Sequence, residues 1–163
     1  MLTDLRELIQ GFDHAATRVA LTGWPCRITP QLLRGPHRPP SLPLGDGAVY
    51  VFALSDAAGD QAPAGRGAVL KVGRVGANSG PRFTYQHYSP GSARSTLAGS
   101  RLRYRIMWPW LGIDNLDAAS VKTWMLTHLD RAHLYVPRGH DEVLAELEVY
   151  VRARVGSIFE GAA

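Results

Sequence analysis

The stretch GAVYVFAL, residues 47 to 54, is apolar at consecutive positions and rich in β-forming side chains. Successive side chains of an extended chain point to opposite faces, so a strand of this composition reads as a central strand of a sheet. After the long turn SDAAGDQAPAGRG, a second run follows, AVLKVGRV at 68 to 75. The two are expected to pair as an antiparallel hairpin with a wide loop. Lys71 stands in the middle of the second run. A buried ammonium without a partner is costly, so this lysine must either reach an edge or meet an anion.

The flanking sequence is read around that hairpin. Residues 1 to 22 carry Leu2, Leu5, Leu8 and Ile9 at helical spacing. Residues 23 to 46 hold six prolines and read as a loop, which with the preceding helix forms an N-terminal extension, 1 to 46, to a main domain at 47 to 163. Residues 81 to 88 and 92 to 104 are expected as short helices, the first opened by Pro81 and the second capped by Ser92. DAASVKTWMLTHL reads as a helix from an Asp117 cap, with Val121, Trp124, Met125 and Leu129 on one face. RAHLYVP is a short third strand. HDEVLAELEVYVRARVG is a helix with the apolar stripe Leu144, Leu147 and Val151, ended by Gly156. The expected fold is α+β: a small three-stranded antiparallel sheet flanked by helices, with the helical and Pro-rich extension in front.

No apolar run approaches the roughly 18 residues of a membrane span. The first twenty residues alternate charge with leucine, without the apolar core of a secretory leader. Cys26 stands alone, which excludes an intrachain disulfide or a cysteine-based zinc site. A cytoplasmic setting is the expectation. The net charge of +4 is carried almost wholly by arginine, Lys71 and Lys122 being the only lysines. Arginine's planar fork suits phosphate, so nucleic acid is a compatible partner; a GC-rich coding bias would give the same balance.

Four positions stand out together: Tyr50 in the first strand, Lys71 in the second, Arg82 soon after it, and Glu148 on the last helix. Alternation puts Tyr50 on the face of Ala48 and Phe52, and Lys71 on that of Val69 and Gly73. Glu148, on the flank of the apolar stripe, points to the margin of the sheet. Cations that hold a phosphate, a carboxylate that holds a divalent metal and a phenol near the nucleophile make a set suited to phosphodiester chemistry. Each residue also has an ordinary reading: Tyr50 as core, the arginines as a solvated face, and Glu148 as the i,i+4 partner of Arg152.

The segments GAVYVF, LKVG and RFTYQHY resemble the paired strand motifs and following arginine of the GIY-YIG nuclease family, and VLAELEVYV resembles its helix with the metal-binding glutamate. The resemblance covers roughly residues 47 to 160. It implies a DNA endonuclease that cuts one strand by hydrolysis with Mg²⁺ or Mn²⁺. Tyr50 would position or deprotonate the attacking water. Gly73 would let the chain turn away from the substrate, Arg82 would contact the scissile phosphate, and Glu148 would ligate the metal. Lys71 stands where most members have tyrosine, as in some restriction enzymes, where lysine activates the nucleophile. Ala48 replaces a motif glycine, and no asparagine follows shortly after Glu148.

His87, five residues after Arg82, is a candidate proton shuttle because its reference pKa is near neutrality. Arg74, Arg94, Arg101 and Arg103 are candidate contacts to single- or double-stranded DNA. His128, His133 and His140 show no metal-ligand spacing. Two further readings stand beside the nuclease. One is a binding module that keeps the fold without the chemistry. The other is an interaction protein whose first 46 residues clasp a protein partner or a second copy.

Overall fold

A computed structural model describes residues 4 to 92 and 96 to 159. The α-helices and strands of the described residues follow one another as α1 (Leu5–Arg18), β1 (Thr29–Leu33), β2 (Asp46–Leu54), α2 (Asp56–Gly59), β3 (Val69–Val75), α3 (Gly80–Tyr85), α4 (Leu97–Arg103), α5 (Val121–His128), β4 (Leu129–Pro137) and α6 (Asp141–Val155). The strands form one antiparallel sheet in the order β1-β4-β2-β3. No helix among the described residues is long and apolar enough to cross a membrane.

The sheet has four strands rather than three. The additional one, β1, comes from the Pro-rich segment and pairs with β4 from Thr29↔Tyr135 to Leu33↔Arg131. Proline content argued against a strand here, yet Pro30 is tolerated because an edge strand leaves one side of its backbone without a ladder. Beyond β1 the chain stays against the sheet. Arg34 pairs with the buried Asp130 at 2.6 Å, and the Gly35 N–H donates to the same carboxylate at 3.0 Å. A Cβ on Gly35 would fall 2.6 Å from the Thr127 carbonyl oxygen, so only glycine permits this approach.

The expected β2–β3 hairpin is present. β2 is buried along Gly47 to Leu54, and its two faces feed two cores. Tyr50, Phe52 and Leu54 pack with Phe83, Leu97, Val121 and Met125, under α3, α4 and α5. Val49, Val51 and Ala53 pack with Phe12, Val143, Leu147 and Val151, under α1 and α6. The register breaks between Phe52 and Ala53, whose partners in β3 are Lys71 and Val69. The break moves Val69 into the α1–α6 core, away from the face that Lys71 shares with Gly73. The helix expected over 92 to 104 starts only at Leu97, where Thr96 rather than Ser92 caps it, its hydroxyl accepting from the Gly99 N–H at 3.1 Å.

The N-terminal helix is thus part of the core, with Phe12 3% exposed and edge-on to Trp24. Phe12→Ala is expected to lower the unfolding free energy by about 3–5 kcal/mol in urea titrations; a loss below about 1 kcal/mol would show that α1 only rests on the domain.

Candidate active site

β3 is an edge strand whose open side is covered at its start, where the N–H groups of Ile158 and Phe159 donate to the carbonyls of Val69 and Leu70 at 3.1 and 2.8 Å. From Lys71 to Gly76 the strand and the turn after it line a cleft of about 610 Å³. Because every consecutive residue contributes, the cleft wraps the edge. Lys71 and Gly73 reach it from the side of Tyr50, and Arg74 from the side of α6. Tyr50, Arg82, His87, Glu148 and Arg152 also line it, with Asp141 at the N-terminus of α6.

Tyr50 is 2% exposed, and its ring lies over Gly73, its partner across the β2–β3 ladder. A Cβ on Gly73 would fall 2.6 Å from the phenol Cζ. This glycine is therefore not a turn residue, as the motif likeness implied: it lies inside β3 and makes room for the phenol. Tyr50 Oη and His87 Nε2 are 2.6 Å apart in a hydrogen bond. Burial pushes the phenol up to about 12, against a partial opposing effect of Arg82 and Arg131. Burial, reinforced by Lys71 and Arg131, pushes the imidazole down to about 3. Both groups are neutral near pH 7, and the hydrogen bond fixes the imidazole against the phenol.

Lys71 is 4% exposed. Burial first, then Arg152 and Arg82, hold its ammonium below the usual lysine range. Arg82 projects from the exposed side of α3, which Pro81 opens. Glu148 is held from two sides. One oxygen accepts from Arg152 at 2.7 Å, the i,i+4 pair visible in the sequence. The other forms an ion pair with Arg74 Nε at 2.9 Å, across the gap from α6 to β3.

The cleft thus gathers Tyr50, Lys71, Gly73, Arg74, Arg82, His87 and Glu148. Of the other candidate arginines, Arg101 and Arg103 lie outside its lining. Arg101 is no surface contact: α4 turns it inward with Leu97 and Ala98, and it is 1% exposed, its guanidinium 4.3 Å over the Trp124 ring. Burial pushes it down to about 9, and it has no hydrogen-bond partner among the described residues. Arg103 is exposed, beside Tyr104, and outside the cleft lining. Arg94 lies outside the described residues.

Comparison with family models, curated proteins and solved structures returned no match. The site therefore stands on its own geometry.

Two residues of that geometry were not read from the sequence as parts of a site. Arg131, in β4, is fully buried beneath Phe83 and Phe52, at 4.4 and 4.8 Å from their rings. It donates to the Phe83 carbonyl at 2.6 Å and to Tyr88 Oη at 3.2 Å, tying the segment that carries Arg82 and His87 to the sheet. The lone arginine inside RAHLYVP posed the same question as Lys71. Arg152 was visible only as a helix-surface partner of Glu148.

Among the described residues no three His, Cys, Asp or Glu side chains form a metal-binding group. Glu148 lies two helical turns after Asp141, and both line the cleft. Mg²⁺ keeps several waters and takes as few as one carboxylate plus substrate phosphates, so the Glu148 carboxylate fits a cation shared with a phosphate rather than one caged by protein.

His87 and His133, the second held down to about 2 mainly by burial, give the fold a defined pH response. In the unfolded chain histidines take up protons near pH ~6.5, whereas these two stay neutral well below that. Between those limits the unfolded state binds more protons, so stability falls as pH falls. Each histidine contributes up to about 1.4 kcal/mol per pH unit. Urea midpoints are expected to drop steadily from about pH 6.5 to about pH 4, and less steeply in His87→Phe; a flat profile over that range would contradict the buried neutral state.

Proposed function

We propose that the protein is a metal-dependent DNA endonuclease that hydrolyses a phosphodiester bond. The observation that carries this reading is the convergence of Lys71, Arg74, Arg82 and Arg152 with Tyr50 and Glu148 in one cleft. Four cationic side chains against two carboxylates favour an anionic ligand, and guanidinium groups match the planar, two-point recognition of phosphate. The likeness of the strand motifs and the helix glutamate to GIY-YIG nucleases selects DNA as the substrate.

Each residue then has a task. Arg82, exposed at the cleft, binds the scissile phosphate and stabilises the charge that develops on it. Lys71, in its neutral amine form, accepts the proton of the attacking water; its depressed pKa makes that form accessible. Tyr50, fixed by His87 and by the space above Gly73, orients the water. As the water oxygen bonds to phosphorus, the bond from phosphorus to the 3′ oxygen breaks. Glu148 would hold Mg²⁺ or Mn²⁺, which when bound supplies Lewis-acid stabilisation of the leaving oxygen.

A second reading, a DNA-binding module without the chemistry, is favoured by one observation: both carboxylate oxygens of Glu148 are already engaged by arginines. Plasmid nicking with Mg²⁺ or Mn²⁺ separates the two. Under the first reading the wild type cuts, and Arg82→Ala and Glu148→Gln each lower the rate by about 10²–10³-fold, the loss typical of removing one group that stabilises transition-state charge. Equal rates in all three proteins contradict it, and salt-sensitive binding without cutting supports the second reading.

A further inference from the structure

The carboxylate of Glu148 is 16% exposed and spans two guanidinium groups from different elements, Arg152 on its own helix and Arg74 on the edge strand. The arginine side chains are far more open, at 37% and 47% exposure. This asymmetry matters. The glutamate is held in place by α6, whereas each arginine has room to move and a long flexible stem. At the part-exposed guanidinium ends the attraction is partly screened and ordering the long side chain costs entropy, so these are the ends free to exchange partner. Both arginines line the cleft that holds Arg82.

The geometry points to a phosphate-operated latch: Arg74 and Arg152 hold Glu148 closed to divalent cations until a DNA phosphate in the cleft takes over their guanidinium groups. The inference rests on the nuclease reading above and adds to it a fixed order of preference between ligands. A phosphate offers each guanidinium a two-point partner at least as good as a carboxylate, with more negative charge to share. Once the arginines turn to the phosphate, Glu148 regains its free oxygens beside that phosphate. Cation binding to the DNA-free protein is thereby suppressed. Linkage requires the converse, that the cation tighten DNA binding by the same factor. Arg154, exposed on α6 and outside the cleft lining, provides a control for charge alone.

The test is Mn²⁺ binding by calorimetry to the full chain, with and without a short mixed-sequence phosphorothioate duplex, which keeps the charge and resists cutting. A titration of the duplex alone is subtracted. The wild type is expected to bind Mn²⁺ at least about 5-fold more tightly with the duplex, and to bind the duplex more tightly by the same factor with Mn²⁺. Arg74→Gln and Arg152→Gln should each bind Mn²⁺ more tightly without duplex and show weaker coupling, and the double variant should lose most of it. Arg154→Gln should keep the coupling. The substituted arginines are open to solvent, and circular dichroism checks that each variant is folded. Equal Mn²⁺ affinity with and without duplex, or Arg74→Gln and Arg152→Gln no tighter than Arg154→Gln, would overturn the latch. If Glu148→Gln still abolishes cutting in that case, the nuclease reading survives without the latch. Absence of Mn²⁺ binding and of cutting in every form would overturn both.

Discussion

Strand β2 is hydrogen-bonded on both sides and buried on both faces, and the rest of the molecule is arranged to satisfy it. A strand of that kind cannot sit at an edge or face water, so it needs a neighbour on each side and a helical layer on each face. β3 and β4 supply the neighbours. α1 and α6 cover one face, and α3, α4 and α5 the other. This places β3 at the sheet margin with helices above and below its edge. A groove along that edge, reached by side chains from both layers, is the geometric result.

The same constraint explains how polar groups come to lie deep in the structure. Tyr50 stands between Gly73 and His133 across the two ladders, and Phe52 between Lys71 and Arg131. One row of the sheet thus carries an aromatic ring with a cation on either side of it. Arg131 is fixed by bonds to Phe83 and Tyr88, and the segment it anchors brings His87 to Tyr50. Burial then sets the chemistry. It keeps the phenol protonated and the imidazole neutral, and it weakens the hold of Lys71 on its proton.

Much of this was legible in the sequence, and the exceptions have physical causes. GAVYVFAL and AVLKVGRV announced the hairpin because side-chain alternation is a local property, and the stripe on 141 to 155 announced α6 for the same reason. β1 was not legible. Pairing with β4 is a contact of long sequence separation, and the prolines around it carry the local signal of a loop. Arg101 looked like one of several basic surface residues because charge predicts exposure on average, whereas the packing of α4 turned this one inward. Gly73 was assigned to a turn from its motif. What makes glycine necessary is a tyrosine ring 23 residues earlier in the chain, which only the strand register brings over it. Glu148 and Arg152 could be paired from helical spacing, but the Arg74 contact joins two elements and needed the fold.

The central claim is that the open edge of β3 is a phosphate-binding cleft with a single metal-binding carboxylate. Its most direct test is anomalous diffraction from crystals soaked with Mn²⁺ and a phosphorothioate dinucleotide. The account predicts one manganese peak beside Glu148, with the phosphorothioate group between it and Arg82. A phosphorothioate bound elsewhere, with no manganese at Glu148, would contradict it.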